Sequence, residues 1–422
     1  MLLLKNGTFI HWDTLEFSLT DILVLPGKEG KLILNPGREE SADAEVIDCK
    51  GQFITRSFAC GHHHVYSAVA RGMGAPKKNP ENFNEILQYI WWTLDKALDE
   101  EMIYSSALAT AIACARNGVT FAIDHHASPN SIPGSLSLIA EAFEKVGVGH
   151  LLCYEITDRD GLEKSVQGLK ETEQYLSKHE GLVGLHASFT VGDHTLNQAV
   201  KLAEATNSGI HVHVAEALSD QEHSMATYGK RVVERFAEAG VLQFPKTILG
   251  HCLHLSEHEK GLISGSNAWV VENMESNLNN GVGFFNGKGL GARIMLGTDG
   301  MHSDMLRSAK SAFFSGHLHE NIDYAETYRR FRNVHNYLGN NNFTGDSDNN
   351  LVILDYNTPT PLTANNFLGH FLFGIESNHV RHVISDGRLI VQDRKMMTVN
   401  EESILTESCK QAERLWKRMA SF

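Results

Sequence analysis

Five short stretches carry side chains able to hold a cation and move protons. They are Gly61-His62-His63-His64, Leu185-His186-Ala187, His211-Val212-His213-Val214-Ala215-Glu216, Gly250-His251-Cys252 and Leu296-Gly297-Thr298-Asp299-Gly300. Each follows a short apolar run and sits where a β-strand would end. His62 and His64 are two residues apart, so on a strand both rings point to one side and His63 to the other. Zinc takes imidazole nitrogen at about 2.0–2.1 Å and keeps one position open in catalytic sites. His211 and His213 form a second pair. His213 is nearer the strand end and is expected to be the ligand; His211, roughly 6.6 Å deeper along the strand, is expected to support it. Asp299 can both ligate the ion and take a proton from its water, whose pKa such an ion lowers to about 7. Glu216, three residues past His213, is placed to carry a proton, and His251 to steady the charge that develops as water attacks. His186 is expected to touch substrate. The metal set is therefore His62, His64, His213 and Asp299, and the chemistry is metal-assisted hydrolysis.

Further candidates are weaker. His125 and His126 end an apolar run and could contact substrate or support the ligands. Arg71 could bind a substrate anion. Ser303 could orient Asp299 or cap a helix. Trp91 and Trp92 read as core side chains.

The elements that must position these groups follow from periodicity. Eight candidate strands are Phe53–Cys60, Val119–Ile123, His150–Glu155, Leu182–His186, Gly209–Val214, Thr247–Leu249, Ala268–Val271 and Arg293–Leu296. Helical patterns such as Leu94 to Arg116 and Asn197 to Asn207 separate most of them. Eight β/α repeats over about 250 residues predict a (β/α)8 TIM barrel, whose reactive groups sit at the C-terminal strand ends. The two chain ends read as β-structure: a hairpin in Leu2 to Ile10 around Asn6-Gly7, strands at Ile22 to Leu25, Lys31 to Leu34 and Leu351 to Leu354, and a hairpin around Asp386-Gly387. Residues 1–55 plus 351–422 are expected to form a small β-sandwich-like domain with a C-terminal helix, and residues 56–350 the barrel. Ile404, Leu405, Ala412, Leu415, Trp416 and Met419 make one apolar stripe on that helix.

Composition narrows the class. The chain has 422 residues, and 51 acids against 37 bases give a formal charge of −14. No basic run interrupts that excess, which argues against nucleic acid or an anionic membrane as partner. No stretch is long enough to span a membrane, and the apolar opening Met1-Leu2-Leu3-Leu4 is too short for a signal core. The six cysteines form no C-x-x-C pair, so a reducing cytoplasm is the expected location.

The arrangement resembles the amidohydrolase superfamily, in its chlorohydrolase/deaminase (ATZ/TRZ-like) branch. The family's His-x-x-Glu matches His213 to Glu216, its His-Cys-x-His matches His251 to His254, and its Gly-Thr-Asp-Gly matches Gly297 to Gly300. The histidines of its opening motif match His62 and His64, but the preceding Pro-Gly is absent. The stretches Gly61 to Ala68, Ile123 to Pro129, Cys153 to Arg159 and Pro359 to Thr363 resemble SsnA-type aminohydrolases more closely. The family's His-Asn-Pro-x-Ser-Asn loop is replaced by Glu272-Asn273-Met274-Glu275-Ser276-Asn277, which puts a carboxylate beside a loop expected to meet substrate. The resemblance implies one divalent metal, zinc or iron(II), and release of ammonia from a small nitrogen heterocycle. It also implies a homodimer. Chloride or alkylamine release, cyclic-amide hydrolysis, and a catalytically silent ligand-binding homologue are the alternatives.

Overall fold

A computed structural model describes residues 1–422. Eight parallel strands form one sheet in chain order: Phe58–His63, Val119–His126, Gly149–Ile156, Val183–Ala187, Ile210–Val214, Ile248–His251, Trp269–Glu272 and Ile294–Leu296. The last returns to the first. The backbone N–H groups of Thr298 and Asp299 donate to the His62 carbonyl at 3.0 and 3.1 Å, and His63 and Asp299 form a parallel bridge. The result is a near-closed barrel with helices between its strands, the arrangement that lets parallel strands be buried on both faces.

Strand alternation sorts the side chains into two cores. Phe121, Ile123, Leu151, Cys153, Leu182, Ile248, Trp269, Val271 and Met295 fill the barrel's interior, closed at the base by Tyr337 and Leu338. Their neighbours Ala122, Leu152, Val183, Val270, Ile294 and Leu296 face the surrounding helices. Continuing the inner register toward the C-terminal ends brings His125, Glu155 and His186 into line above Ile123, Cys153 and Leu182.

The first strand breaks this rhythm. Ala59 is in the inner core and Cys60 in the outer one, so strict alternation would send His63 inward. A register shift between Cys60 and His63 hands the interior to His62 and His64 instead. Gly61 permits it, because a Cβ there would lie 2.8 Å from the Leu296 carbonyl oxygen.

The chain ends build a second, mostly antiparallel sheet of nine strands. Its centre pairs Leu351–Leu354 antiparallel with Phe53–Arg56, which joins Leu2–Ile10. Two sequence expectations are corrected here. Leu2–Ile10 is a single strand, not a hairpin: Asn6 adopts φ +59° and produces a register irregularity against Phe17–Val24. Gly7 lies tight under Ile54, where a Cβ would come within 2.5 Å of its side chain, so the pair acts as a bulge. The run Phe53–Cys60 is two strands. It changes sheets at Ser57, with Phe53–Arg56 in the terminal sheet and Phe58–His63 in the barrel. The turn at Asp386-Gly387 does form a hairpin, both residues having positive φ as a two-residue turn demands.

The helical pattern from Leu94 to Arg116 is interrupted. Helices Trp92–Ala97 and Glu100–Arg116 meet at Leu98, where the Asp99 side chain caps the second by accepting from the Met102 N–H. The last helix, Glu401–Met419, lies against Glu100–Arg116. Ser408 bonds Ser105 at 3.0 Å, and Trp416 donates to the Val69 carbonyl at 2.9 Å. Leu405 of the predicted stripe stands exposed.

Candidate metal centre and active site

His62, His64 and His213 present ligand atoms within 4.8 Å of one another, as do His62, His251 and Asp299. Hydrogen bonds fix how these rings are used. His64 Nδ1 faces the His125 carbonyl oxygen at 2.5 Å, and His213 Nδ1 faces the His186 carbonyl at 2.9 Å. A carbonyl only accepts, so each Nδ1 carries a proton and each Nε2 is the nitrogen left to meet an ion or a second proton. His62 Nδ1 lies 2.9 Å from His211 Nε2, and the buried His62 Nε2 has no hydrogen-bond partner. The Nε2 atoms of His64 and His213 approach to 3.3 Å. Two imidazole nitrogens that close need a proton or a cation between them.

Asp299 completes the cluster. Its Oδ1 is 3.1 Å from His64 Nε2 and 3.7 Å from His62 Nε2. It accepts from the Gly300 N–H at 2.8 Å and, on Oδ2, from Ser276 Oγ at 2.5 Å. Burial raises the Asp299 carboxyl, but hydrogen bonding to His62 and His64 overrides this and holds it well below the usual range. Burial likewise opposes charge on His64, yet Asp299 lifts that ring to about 9. Burial and the neighbouring imidazoles push His213 far down, which keeps it neutral. Three imidazoles and one carboxylate, with the Nδ1 atoms of the imidazoles engaged, would suit a divalent ion.

The strand ends are bent where the reactive groups leave them. His251 has φ +66°, Asp299 +52°, and Ala215, just before Glu216, +46°. Such left-handed backbone at non-glycine residues costs of order 1–3 kcal/mol and gathers at functional sites. His251 Nε2 lies 3.5 Å from Glu216 Oε2 and 3.9 Å from Asp299 Oδ2, while its Nδ1 bonds Asn277 Oδ1 at 2.7 Å. Burial raises the Glu216 carboxyl, so this group can hold a proton. Asn280 donates to its Oε1 at 3.4 Å.

Glu216, His251 and Asp299 share a cavity with His64, His186 and His213. Tyr66, Phe83, Leu87, Trp91 and Trp92 supply its apolar wall. The two tryptophans therefore line the site, contrary to their reading as core. Trp91 ends a π-helical turn, Leu87–Trp91, in the long connection after the first barrel strand.

Several sequence candidates lie elsewhere. His125 is buried below the cavity, donating from Nε2 to the Leu185 and His211 carbonyls at 3.1 and 3.2 Å. His126, on the opposite strand face, bonds Ser128 at 2.9 Å. Neither lines the cavity, because strand alternation puts one beneath the ligands and the other outside the barrel. Arg71 is exposed and bonds the Met301 carbonyl at 3.1 Å. Ser303 turns away from Asp299 to His63 Nε2, 2.7 Å distant; the hydroxyl that orients Asp299 is that of Ser276. Glu272 also faces away from the barrel interior and pairs with the buried Arg330 at 2.9 Å. Its strand neighbour Val271 is the inward residue, so the departure at 272 does not alter the cavity.

Sequence reasoning passed over Ser276, Asn277, Asn280, Asp95, Glu155 and Arg159. The last two lie within the Cys153–Arg159 stretch already singled out by resemblance, and their inner-face register was readable there. Asp95 and Ser276 come from connections whose course no local pattern reveals.

The barrel and this site define a metal-dependent hydrolase of the TIM-barrel type. Residues 53–337 match the profile of the Amidohydrolase family, and the chain belongs to that family. It is similar to the 5-methylthioadenosine/S-adenosylhomocysteine deaminase of Pyrococcus furiosus, with 27% identity over 97% of this chain and 99% of the relative. It is 25% identical to the 5'-deoxyadenosine deaminase of Methanocaldococcus jannaschii, over 96% of this chain and 97% of that one. Among solved structures it shares its fold with a zinc-bound adenosine deaminase from Xanthomonas campestris, at TM-score 0.84, 18% identity and 98% coverage of both chains. The zinc complex of the atrazine chlorohydrolase TrzN from Arthrobacter aurescens is similar at TM-score 0.82 and 14% identity, over 98% of this chain and all of that one.

Proposed function

We propose that this protein is a metal-dependent aminohydrolase that exchanges an amino group of a small nitrogen heterocycle for oxygen from water and releases ammonia. The observation that carries this reading is the clustering of ligand atoms from His62, His64 and His213, and from His62, His251 and Asp299, at a cavity that Glu216 and His251 line. His62, His64, His213 and Asp299 would hold the ion, zinc by preference given the three imidazoles. When bound, the ion supplies hydroxide at neutral pH by lowering the pKa of water to about 7.

Asp299 accepts the water's proton on the carboxylate that Ser276 and Gly300 keep in place. Glu216, raised by burial, gives a proton to a ring nitrogen of the substrate, which makes the carbon that bears the amine open to attack. His251, whose Nδ1 gives its proton to Asn277 Oδ1, donates from Nε2 toward the charge that develops there when its ring carries a second proton. Asp299 passes the water's first proton to the amine, the carbon–nitrogen bond breaks to release ammonia, and the new hydroxyl returns its proton to Glu216 as the carbonyl forms. The aromatic wall of Trp91, Trp92 and Tyr66 suits a flat ring and keeps bulk water off it. The deaminase relatives support a substrate of the purine or purine-nucleoside kind.

The test is a screen for ammonia release with zinc-loaded enzyme over adenine nucleosides, free purines, pterins, pyrimidines and triazines. Release from at least one amino-heterocycle, lost on chelation and restored by zinc, is expected. Chloride release or ring opening without ammonia, or no turnover across the panel, would overturn the reading.

A further inference from the structure

Three of the groups assigned to the chemistry are held by one short helix. Met274–Asn280, in the connection after the seventh barrel strand, brings Ser276 to Asp299 Oδ2 at 2.5 Å, Asn277 to His251 Nδ1 at 2.7 Å and Asn280 to Glu216 Oε1 at 3.4 Å. Asn280 Nδ2 also lies 3.5 Å from Ser276 Oγ, which ties two of these side chains to each other. Successive residues of a helix are turned by about 100°, so Ser276, Asn277 and Asn280 occupy one arc of about that width. Whatever moves this helix moves all three contacts together.

Seven residues do not hold a helix in place by themselves. Isolated helices shorter than about 12–15 residues are marginal in water, and this one starts at Asn273 without a side-chain cap. Met274 packs its first turn into the core. Glu275 supplies a polar anchor on the flank of the helix turned away from Asn277. Its Oε1 accepts from Ser311 Oγ at 2.7 Å and from Arg307 Nε at 2.9 Å, both on the helix Met305–His319. Its Oε2 faces His302 Nε2. The Asp304 N–H donates to His302 Nδ1 at 3.0 Å, so Nε2 is the nitrogen that gives its hydrogen to Glu275. The carboxylate thus bridges the connection after strand seven to the connection and helix after strand eight, on the same side of the barrel as Asp299. It is only 18% exposed, unlike the screened surface pairs that contribute little.

We propose that Glu275, gripped by His302, Arg307 and Ser311, is a positioning residue for the reaction: it fixes the helix that sets Asp299, His251 and Glu216 at once. Glu275 does not line the cavity, so it acts through Ser276, Asn277 and Asn280. The inference rests on the roles given to those three groups above. Misplacement of a reacting group by about 1 Å costs about 10²-fold in rate, which sets the scale of the effect.

For the test, the full-length protein is loaded with Co²⁺ in place of zinc. The visible bands of the bound ion follow its ligand geometry, and they are compared for wild type, Ser276→Ala, Glu275→Gln and the double variant. Gln keeps the size of Glu275 but turns an NH₂ group toward a donor on one side. Glu275→Gln is expected to shift the bands as Ser276→Ala does, and the double variant to shift them little further. In ammonia release, kcat should fall about 10- to 100-fold with KM within about threefold of wild type. The loss in the double variant should fall short of the product of the single losses by at least about threefold. His302→Ala leaves Glu275 its contacts with Arg307 and Ser311; it should give the same pattern in smaller measure, and it decides the matter if Glu275→Gln does not fold. Cobalt bands of wild-type shape in both Glu275→Gln and His302→Ala, or losses that multiply in full, would overturn the proposal, because a residue that only stabilises the fold acts independently of Ser276. A wild type that binds cobalt but releases no ammonia would refute the aminohydrolase reading instead, and the cobalt bands would still decide the anchor.

Discussion

Replacing Glu216 by Gln probes the proton path most directly. The side chain keeps its length and shape, and an amide oxygen can still accept from Asn280, which lies 3.4 Å from Oε1. The carboxylate is 14% exposed and is raised by burial, so neutralising it removes a desolvated charge and should leave the fold as stable or slightly more so. Glu216 is absent from every cluster of ligand atoms, so zinc content should not change. What is lost is the cavity carboxyl that stands beside His251 and that burial raises, the proposed donor to the substrate ring. General acid–base contributions run to about 10²–10⁴-fold, equivalent to about 2.7–5.4 kcal/mol of barrier. Single-turnover ammonia release, with zinc measured on the same preparation, should fall by that factor. A rate within about threefold of wild type at full zinc occupancy would refute the shuttle, because an amide has no proton of comparable acidity to give.

Other outcomes follow from the same geometry. Ser276→Ala removes the 2.5 Å hydrogen bond to Asp299 Oδ2. A bond to a charged group is worth about 1.5–3 kcal/mol, so kcat/KM should drop about 10- to 100-fold, whereas Ser303→Ala, whose hydroxyl meets His63, should change it far less. His211→Phe deprives His62 Nδ1 of its 2.9 Å partner, and zinc affinity in a chelator competition should weaken about 10- to 100-fold. Glu275 bonds His302, Ser311 and Arg307; burial opposes its charge, but these partners prevail and bring its carboxyl from 4.5 down to about 2. Its contribution to stability is therefore complete above about pH 4.5 and disappears as pH falls toward about 2. Urea midpoints of wild type and Glu275→Gln should differ at pH 6 and draw together at pH 3; an equal gap at both would contradict the assigned ion pairs.

The barrel was legible because its evidence is local and repeated. Short apolar runs recur between helical patterns, and His213, Glu216, His251 and Asp299 each fall where such a run stops. Side-chain alternation needs nothing beyond the chain itself, which is why His211 could be placed beneath His213 and why Glu272, next to the inward Val271, could have been turned outward. Alternation failed on the first strand only in its reason. His62 and His64 do share a side, but they gain the interior through a shift at Cys60 to His63 that no period of two contains.

By itself the sequence determined which residues could do chemistry, the strands that carry them and the hydrolytic class, since residue type and strand parity are properties of the chain alone. Only the tertiary structure decided which lone pairs are free. That depends on carbonyls from other strands, such as those of His125, Leu185 and His186, and on side chains delivered by connections, such as Ser276, Asn277 and Trp91. Hydrogen bonds between residues far apart in the chain leave no periodic trace, and here they set the proton positions on which the proposed catalysis rests.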